Sequence, residues 1–355
     1  MCCCAMKMRS QSATTRRALD LAIIGYGRLA REYYLPALSR MKDVRVKAVA
    51  DLSPESLHAA TKGIPLARVY QSYQQMFSQE SLDAVLIASP PSSHLMAWLE
   101  ARKNGVAAFV EKPFALTSQI EDLPDLSDSE AALMVNFNRR FWTPYQKVIQ
   151  GCRNGAIGAL RHVQFTFHTD MARWSTVTQH RLSPDEGGVL HDLGSQAIDL
   201  VCQIVNCELR RISGSFTSKR WNSDCVQLEL EFAGGIQAQC DLAYDHQNRE
   251  SLTVTGSAGS ILLREPNMTP HVAKDGQLSV AAFLEDYAWF GYRMLFPSRR
   301  MLRQTIMHSL SRFVESLRSG SCLKPGYAEA CANLRRLAMA AHVAESITAS
   351  HGAND

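Results

Sequence analysis

The chain has 355 residues, of which 46% are hydrophobic and 20% charged, and its formal net charge is +4. This length allows two domains with separate cores, and a small net charge without a long basic block argues against a nucleic-acid partner. No apolar run reaches the roughly 20 residues of a membrane-spanning helix, so we expect no membrane insertion. With a nucleic acid and a membrane excluded, we expect the partner to be a small molecule.

The N-terminal residues MCCCAMKMRSQSATTRR lack the apolar core of a secretory signal, and we interpret 1–17 as a disordered tail or an overlong start. Beyond this tail no two cysteines form a CxxC pair. Most lie among apolar residues, which is typical of reduced core thiols and predicts a cytoplasmic protein. The three adjacent cysteines at 2–4 have no matching His or Cys set, so we expect no metal site.

Between residues 18 and 137, short apolar runs rich in Val, Ile and Phe alternate with helical segments. The runs are LDLAII (19–24), VRVKAVA (44–50), DAVLIAS (83–89), VAAFV (106–110) and ALMVNF (132–137). A helix is predicted over 92–104, with Ser92 and Ser93 as its cap. Buried strands joined by helices indicate an α/β Rossmann dinucleotide-binding domain with a parallel sheet over 18–137.

The stretch GYGRLA (25–30) follows the first strand and opens a helix. Its first glycine permits a tight turn, its second lets the backbone approach a pyrophosphate, and Ala30 allows the helix to pack closely on the strand. The helix N-terminus adds free N–H donors for a phosphate. The cofactor contacts predicted in this loop are Gly25, Tyr26, Gly27, Arg28 and Leu29.

Asp51 ends the second strand, about 20 residues further on, where dinucleotide-binding folds carry an acid. Its carboxylate can accept the ribose hydroxyls of the adenosine half and would repel a 2'-phosphate, which favours NAD over NADP. The alternative is that Asp51 caps the next helix, but Ser53 ahead of Pro54 can take that role.

After residue 138 the strands alternate strictly between apolar and polar residues. RHVQFTF places Val163, Phe165 and Phe167 on one face, and CVQLELEF alternates in the same way. Such alternation indicates strands with one buried and one wetter face. We therefore predict an α+β domain over 138–350 with a mostly antiparallel open sheet, whose final helices are candidates for packing back on the first domain.

The stretch HDLGSQAIDLV (191–201) is predicted to form a helix between the first two strands of that sheet. At a spacing of i, i+4 and i+7, Asp192, Gln196 and Asp199 share one helix face. That face is either solvated or functional.

VEKPF (110–114) places Glu111 and Lys112 at the carboxyl end of a parallel strand, the edge at which such sheets bind ligands. A lysine there can carry the proton of a substrate hydroxyl. The alternative is an ordinary surface lysine in a loop.

Taken in order, these motifs resemble the glucose-fructose oxidoreductase, inositol dehydrogenase and rhizopine catabolism (Gfo/Idh/MocA) family. The matching stretches are GYGRLA, VAD, IASPPSSH, EKP, VNFNRRF, GAIGALRHVQF and GGVLHDLGSQAIDL. The resemblance implies a dinucleotide cofactor, a sugar, cyclitol or related polyol as substrate, and a homodimer or homotetramer formed through the C-terminal sheet. Beyond the loop and Asp51, the cofactor-binding residues it implies are Ser89, Pro90, His94, Glu111 and Lys112.

The catalytic residues implied by the resemblance are Lys112, Asp192 and Gln196. The family motif has His four residues after its Asp, and this chain has Gln196 there. An amide does not titrate near neutrality, so Gln196 can orient a hydroxyl or carbonyl but cannot take its proton.

Three interpretations follow from this departure. The first is an active NAD-dependent oxidoreductase in which Lys112 carries the proton. The second is a dinucleotide-binding regulator or non-catalytic family member. The third is an oxidoreductase that recycles a tightly held cofactor within one turnover.

The segment 170–188 joins the first sheet strand to the motif helix and is expected to line the substrate pocket. Within it, Arg173 and Arg181 are candidates for binding a carboxylate or phosphate, Trp174 for contact with a sugar face, and His180 for another substrate contact. Asn136 and Arg139, in NFNRR, are interpreted as hinge and cofactor-side groups.

Overall fold

The computed structural model describes residues 17–173, 177, 181–183, 188–219, 221, 224–244, 248–265, 268, 270–274, 277–278 and 299–351. The chain divides into two compact units. The first unit comprises Met1–Asn138 and Met301–Ala332, and the second comprises Arg139–Arg300 and Asn333–Asp355. The predicted tail lies outside the described residues except for Arg17, which pairs with Asp83 at 2.5 Å.

The first unit is built on a six-stranded parallel sheet. Its strands are β1 (Leu19–Ile24), β2 (Val44–Ala50), β3 (Arg68–Tyr70), β4 (Ala84–Ile87), β5 (Ala107–Val110) and β6 (Leu133–Val135). They lie in the order β3-β2-β1-β4-β5-β6, which is the order of a Rossmann sheet. All residues of β4 and β5 are buried, as expected of central strands covered on both faces. The predicted α/β domain is confirmed.

Helices connect these strands. They are α1 (Leu35–Leu38), α2 (Pro54–Gly63), α3 (Tyr73–Gln79), α4 (Pro91–Lys103) and α5 (Asp128–Ala131). A π-helical segment, Ala30–Tyr34, leads directly into α1. The helix predicted over 92–104 is present, but its predicted cap is wrong, because the helix begins at Pro91 and Ser93 donates a hydrogen bond back to the Pro90 carbonyl at 2.8 Å. A proline fits the first turn, where its missing N–H has no helical partner.

The second unit is built on an eight-stranded sheet. Its strands are β7 (Leu160–His168), β8 (Leu209–Thr217), β9 (Cys225–Phe232), β10 (Gln237–Ala243), β11 (Arg249–Gly256), β12 (Gly259–Arg264), β13 (His271–Lys274) and β14 (Gln277–Leu278). Their order is β14-β13-β12-β11-β7-β10-β9-β8. Among these pairs β7 and β10 run parallel and the others antiparallel, so the prediction of a mostly antiparallel sheet is confirmed.

One face of this sheet is apolar and the other is polar. In β9, Leu228 and Leu230 are buried whereas Glu229 and Glu231 are exposed, as the alternation predicts. Helix α6 (Thr143–Arg153) precedes the first strand of this sheet, and helix α7 (Ser195–Val205) follows that strand. Helix α7 lies between β7 and β8 in the chain, where a helix was predicted, and it contacts β7.

Two long helices complete the two cores. They are α8 (Arg299–Ser319) and α9 (Tyr327–His351). In the first unit, Phe313 of α8 meets Phe109 edge-on and Tyr327 stacks on Trp98, with ring centroids 5.4 and 5.1 Å apart. In the second unit, Asn333 of α9 donates a hydrogen bond to the Ser195 carbonyl at 2.9 Å. None of the described helices is long and apolar enough to cross a membrane.

Replacing Asp199 with alanine should destabilise the second unit. Asp199 of α7 binds Arg140 through two contacts of 2.7 and 2.5 Å, and the side chains of Asp199 and Arg140 are 5% and 14% exposed. Breaking a buried pair leaves an uncompensated charge, so we expect Asp199→Ala to lower the free energy of unfolding by about 3 kcal/mol or more. Urea unfolding followed by circular dichroism measures this change.

A matched control is Glu315→Ala, which breaks a pair with Arg312 whose side chains are about two-thirds exposed. Its expected effect is below about 1 kcal/mol. Equal effects of the two substitutions would contradict the structural role assigned to the Asp199 pair.

Candidate functional site

The carboxyl ends of five strands meet in register at one edge of the first unit's sheet. Ile24 pairs with Ala50 and with Ile87, Ile87 pairs with Val110, and Val110 pairs with Val135. The residues predicted to bind the cofactor follow four of these ends, after β1, β2, β4 and β5. The structure therefore brings the predicted loop, Asp51, Ser89 and the EKP segment to one edge, and the strand order reverses there between β1 and β4.

Gly25 is required by the close approach of the loop after β1 to the segment after β4. Its φ is +86°, and a Cβ on it would lie 2.5 Å from the Ser89 nitrogen. A Cβ on Gly27, by contrast, would meet nothing within 4 Å. The loop thus has open space at its second glycine, which is where a Rossmann loop admits a pyrophosphate.

The side chains of the loop differ in what they can offer a ligand. Tyr26 is 1% exposed, so its side chain belongs to the core. Arg28 is partly exposed and lies 3.9 Å from Glu32 on the same helix, and Leu29 is also partly exposed. The loop is therefore best equipped to bind an anion through its backbone amides.

Asp51 organises the same loop. Its Oδ2 accepts a hydrogen bond from the Tyr26 N–H at 2.6 Å, and its Oδ1 accepts one from the Ser53 N–H at 2.8 Å. The cap of α2 is Ser53, whose hydroxyl accepts from the Ser56 N–H at 3.2 Å, as the sequence predicted. A carboxylate has about four acceptor positions, so Asp51 retains capacity for ribose hydroxyls.

Glu111 is held by buried partners beneath the Lys112 backbone. Its Oε1 accepts hydrogen bonds from the Tyr34 hydroxyl and from Asn136 Nδ2, the latter at 2.8 Å, and its Oε2 accepts from the Lys112 N–H at 3.1 Å. Burial, reinforced by the Glu111 charge, raises the pKa of Tyr34 well above its ordinary value. Lys112 itself is half-buried directly after this carboxylate.

His94 fastens the segment after β4 to the EKP segment. Its Nε2 lies 2.7 Å from the Ser89 carbonyl and its Nδ1 lies 2.8 Å from the Pro113 carbonyl. Burial lowers the pKa of His94, and the two carbonyls oppose that shift. Pro90, also a predicted cofactor residue, is exposed just before α4.

In the second unit, the motif stretch begins with a π-helical segment, Leu190–Gly194, that runs into α7. Asp192 lies within this segment, and its Oδ2 accepts hydrogen bonds from the Tyr244 hydroxyl at 2.9 Å and from Arg181 Nε at 3.0 Å. Burial, with the Asp192 charge, raises the pKa of Tyr244 well above its ordinary value. Such π segments occur frequently at functional sites.

The other two polar residues of the motif are buried beside arginines. Gln196 is 6% exposed, and its Oε1 accepts a hydrogen bond from Arg139 Nη1. Asp199 is 4% exposed and binds Arg140. The alternative of a solvated face is therefore wrong for these two residues.

Sequence reasoning missed the groups that hold this helix. Arg139 was interpreted as a cofactor-side residue, whereas the structure places it in the second unit with Gln196 and Glu250. Tyr244 was not singled out at all. A signal was present, because two consecutive arginines match two polar positions three residues apart on a helix whose other buried residues are mostly apolar.

Some of the substrate candidates that precede the motif lie outside the described residues. Arg173 ends a short 3-10 turn, Met171–Arg173, and Trp174 and His180 lie outside the described residues. Among the residues that the structure describes, no three His, Cys, Asp or Glu side chains are grouped to hold a metal ion.

Two family models match the chain. Residues 19–137 match the GFO_IDH_MocA model, described as an oxidoreductase family with an NAD-binding Rossmann fold, and residues 145–262 match the GFO/IDH/MocA C-terminal domain. D-apiose dehydrogenase of Paraburkholderia graminis is 28% identical over 80% of this chain and 78% of its own. Myo-inositol 2-dehydrogenase of Thermotoga maritima is 23% identical over 85% of this chain and 89% of its own.

A solved structure has the same fold. It is an oxidoreductase from Agrobacterium radiobacter in complex with NAD+, L-tartaric acid and magnesium, with a TM-score of 0.77 and 21% identity, and the match covers 92% of this chain and 96% of that one.

The two loop glycines should have separable effects on folding and on cofactor binding. Gly25→Ala forces a side chain into the left-handed region and against backbone, so we expect a loss of about 2 kcal/mol or more in stability. Gly27→Ala meets open space and should change stability by less than about 1 kcal/mol. It should nevertheless weaken NADH binding about tenfold or more, because its methyl group occupies the space assigned to the pyrophosphate.

Thermal unfolding and NADH fluorescence titration of the two variants measure these quantities. Unchanged NADH affinity in Gly27→Ala would refute the placement of the pyrophosphate at this loop.

Proposed function

Because the chain belongs to the Gfo/Idh/MocA oxidoreductase family, we propose that it transfers a hydride between NAD and a hydroxyl-bearing carbon of a sugar, cyclitol or related polyol. The two family matches confirm the resemblance predicted from the motifs, and with it an NAD-binding Rossmann domain and membership of an oxidoreductase family. Relatives named for D-apiose and myo-inositol support the polyol class.

The observation that carries the proposal is the convergence at one sheet edge of the glycine loop, Asp51 and Lys112. The amides of the glycine loop would hold the pyrophosphate, and Asp51 the adenosine ribose. When bound, NAD accepts the hydride from the substrate carbon. The segment between Ser89 and His94, fastened to the EKP segment, completes the proposed cofactor contacts together with Glu111.

Lys112 is the proposed proton carrier. During oxidation its neutral amine would take the proton of the substrate hydroxyl, and during reduction its ammonium would return that proton to the new alkoxide. In the second unit, Asp192 and Gln196 are proposed to bind and orient the substrate. Arg173, Trp174 and His180 remain candidates for further substrate contacts.

One observation favours a second candidate function. The family motif has His where this chain has Gln196, so a dinucleotide-binding protein without turnover, acting as a regulator or non-catalytic subunit, is the alternative. It predicts NADH binding but no reaction across a broad panel of polyols.

The assembly and location of the protein remain predictions. The exposed polar face of the second unit's sheet is the surface we propose for a homodimer or homotetramer, since strands β8, β9 and β10 present a continuous row of polar side chains there. The seven described cysteines are free thiols, which supports the prediction of a cytoplasmic protein.

Asp51 predicts a preference for NADH over NADPH. A 2'-phosphate would be repelled by the carboxylate, and we expect NADPH to bind about tenfold or more weakly in a fluorescence titration. Asp51→Asn is the matched variant, because its amide oxygen can still accept one of the two backbone hydrogen bonds while the charge is lost. Asp51→Asn should reduce the difference between the NADH and NADPH affinities. A wild-type preference for NADPH would refute the role assigned to Asp51.

Lys112→Ala should reduce turnover by about 100-fold or more once a substrate is found, since positioned acid/base groups contribute on this scale. A panel of sugars, inositols and sugar acids with NAD, followed at the absorbance of reduced nicotinamide, supplies the substrate. Lys103→Ala is the control, because Lys103 lies at the exposed end of α4 with a side chain 76% exposed. Equal kcat values for the two variants would rule out proton transfer by Lys112.

A further inference from the structure

The contact between Arg139 and Gln196 settles which way the Gln196 amide faces. A guanidinium carries five N–H donors and no acceptor, so the amide atom that it binds must be the oxygen. The oxygen Oε1 therefore faces Arg139, and the donor group, Nε2, is turned the other way. Among the described residues, no side chain or backbone group accepts a hydrogen bond from Nε2.

Arg139 is itself fixed on three sides. Its Nε and Nη2 lie 3.1 and 3.4 Å from the carboxylate of Glu250 on β11, and its guanidinium lies 3.8 Å from the ring centre of Phe167 on β7. Tyr145 of α6 donates to the same carboxylate at 2.5 Å. Burial works against the charge of Arg139, but the Glu250 carboxylate raises its pKa. A guanidinium held by a carboxylate and an aromatic face is a rigid support for the amide.

We propose that Arg139 is a positioning residue that fixes Gln196 as a hydrogen-bond donor, so that this position binds an acceptor oxygen of the ligand. The identity of that ligand as a polyol or its carbonyl product rests on the proposed function. A ligand carbonyl or alkoxide oxygen accepts from Nε2, and a donor fixed in advance stabilises charge that develops on such an oxygen. The proton is carried elsewhere, by Lys112 in the proposed reaction.

The variant Gln196→Glu separates this role from a structural one. A glutamate keeps the shape and offers Arg139 a carboxylate, so the support is retained or strengthened, but the N–H donor is lost. We expect unchanged folding and NADH affinity, together with a fall in kcat/KM of about 100-fold, the scale of losing one such donor. If Gln196 only anchors α7, Gln196→Glu will retain full activity and Gln196→Met, which breaks the Arg139 contact, will be the damaged variant. That result would overturn the proposal.

A second measurement needs no substrate and tests the positioning by Arg139 directly. In Gln196→His the new imidazole would lie in a buried position beside Arg139, and protonation would remove the acceptor that Arg139 binds. We expect an NMR titration to give it a pKa about one unit or more below the ordinary 6.5. Adding Arg139→Met should raise that pKa again.

The neighbouring charges are accounted for by a further variant. In Arg139→Met the buried Glu250 carboxylate would lose its arginine partner. The triple variant Arg139→Met, Glu250→Gln and Gln196→His removes both charges, so no unpaired carboxylate is left to disturb folding. Its imidazole pKa should exceed that of Gln196→His alone. An imidazole in Gln196→His that titrates at or above 6.5 would show that Arg139 does not hold position 196. The NMR result tests the Arg139 contact without a substrate. A substrate screen that finds no activity would count against the proposed function alone.

Discussion

The burial of polar side chains on the motif helix is the constraint from which the second unit's organisation follows. A buried carboxylate or amide oxygen that lacks a hydrogen-bond donor lowers the stability of the fold. Arg139 and Arg140, adjacent in sequence, supply those partners for Gln196 and Asp199. Each arginine thereby fixes one turn of the same helix, so the chain entering the second unit also sets the rotation of α7 about its axis.

The first unit also has a buried and hydrogen-bonded carboxylate, at the edge of its sheet. Glu111 is 7% exposed, yet its oxygens are bound by Tyr34, by Asn136 and by the N–H of the residue that follows it. These partners come from the helix after the glycine loop, from the end of β6 and from the EKP segment itself. The carboxylate thus ties three separate segments together, and the position of Lys112 is set by groups that need not touch a ligand.

Periodicity and motif spacing predicted most of the fold. The limits of β1 and β2 were predicted to the residue, because short segments rich in Val, Ile and Ala between polar residues are typical of strands. Strand β3 was missed because it has only three residues and begins with the exposed Arg68. The glycine loop, Asp51 and Lys112 were identifiable from local sequence. Glu250 and Tyr244 were not, because their importance arises from pairing across strands and helices that are distant in the chain.

The π-helical segment Leu190–Gly194 changes how the motif spacing should be understood. Counting four residues from Asp192 to Gln196 suggests one regular turn, but Asp192 lies in a segment with i to i+5 hydrogen bonds, whose turn is wider than the 3.6 residues of an α-helix. A wider turn changes the angle between Asp192 and the residues of α7 from that of a regular α-helix. Asp192 contacts Tyr244 and Arg181, whereas Gln196 contacts Arg139. The π segment and α7 thus hold their polar side chains with separate sets of partners, which a helical wheel drawn from the sequence does not represent.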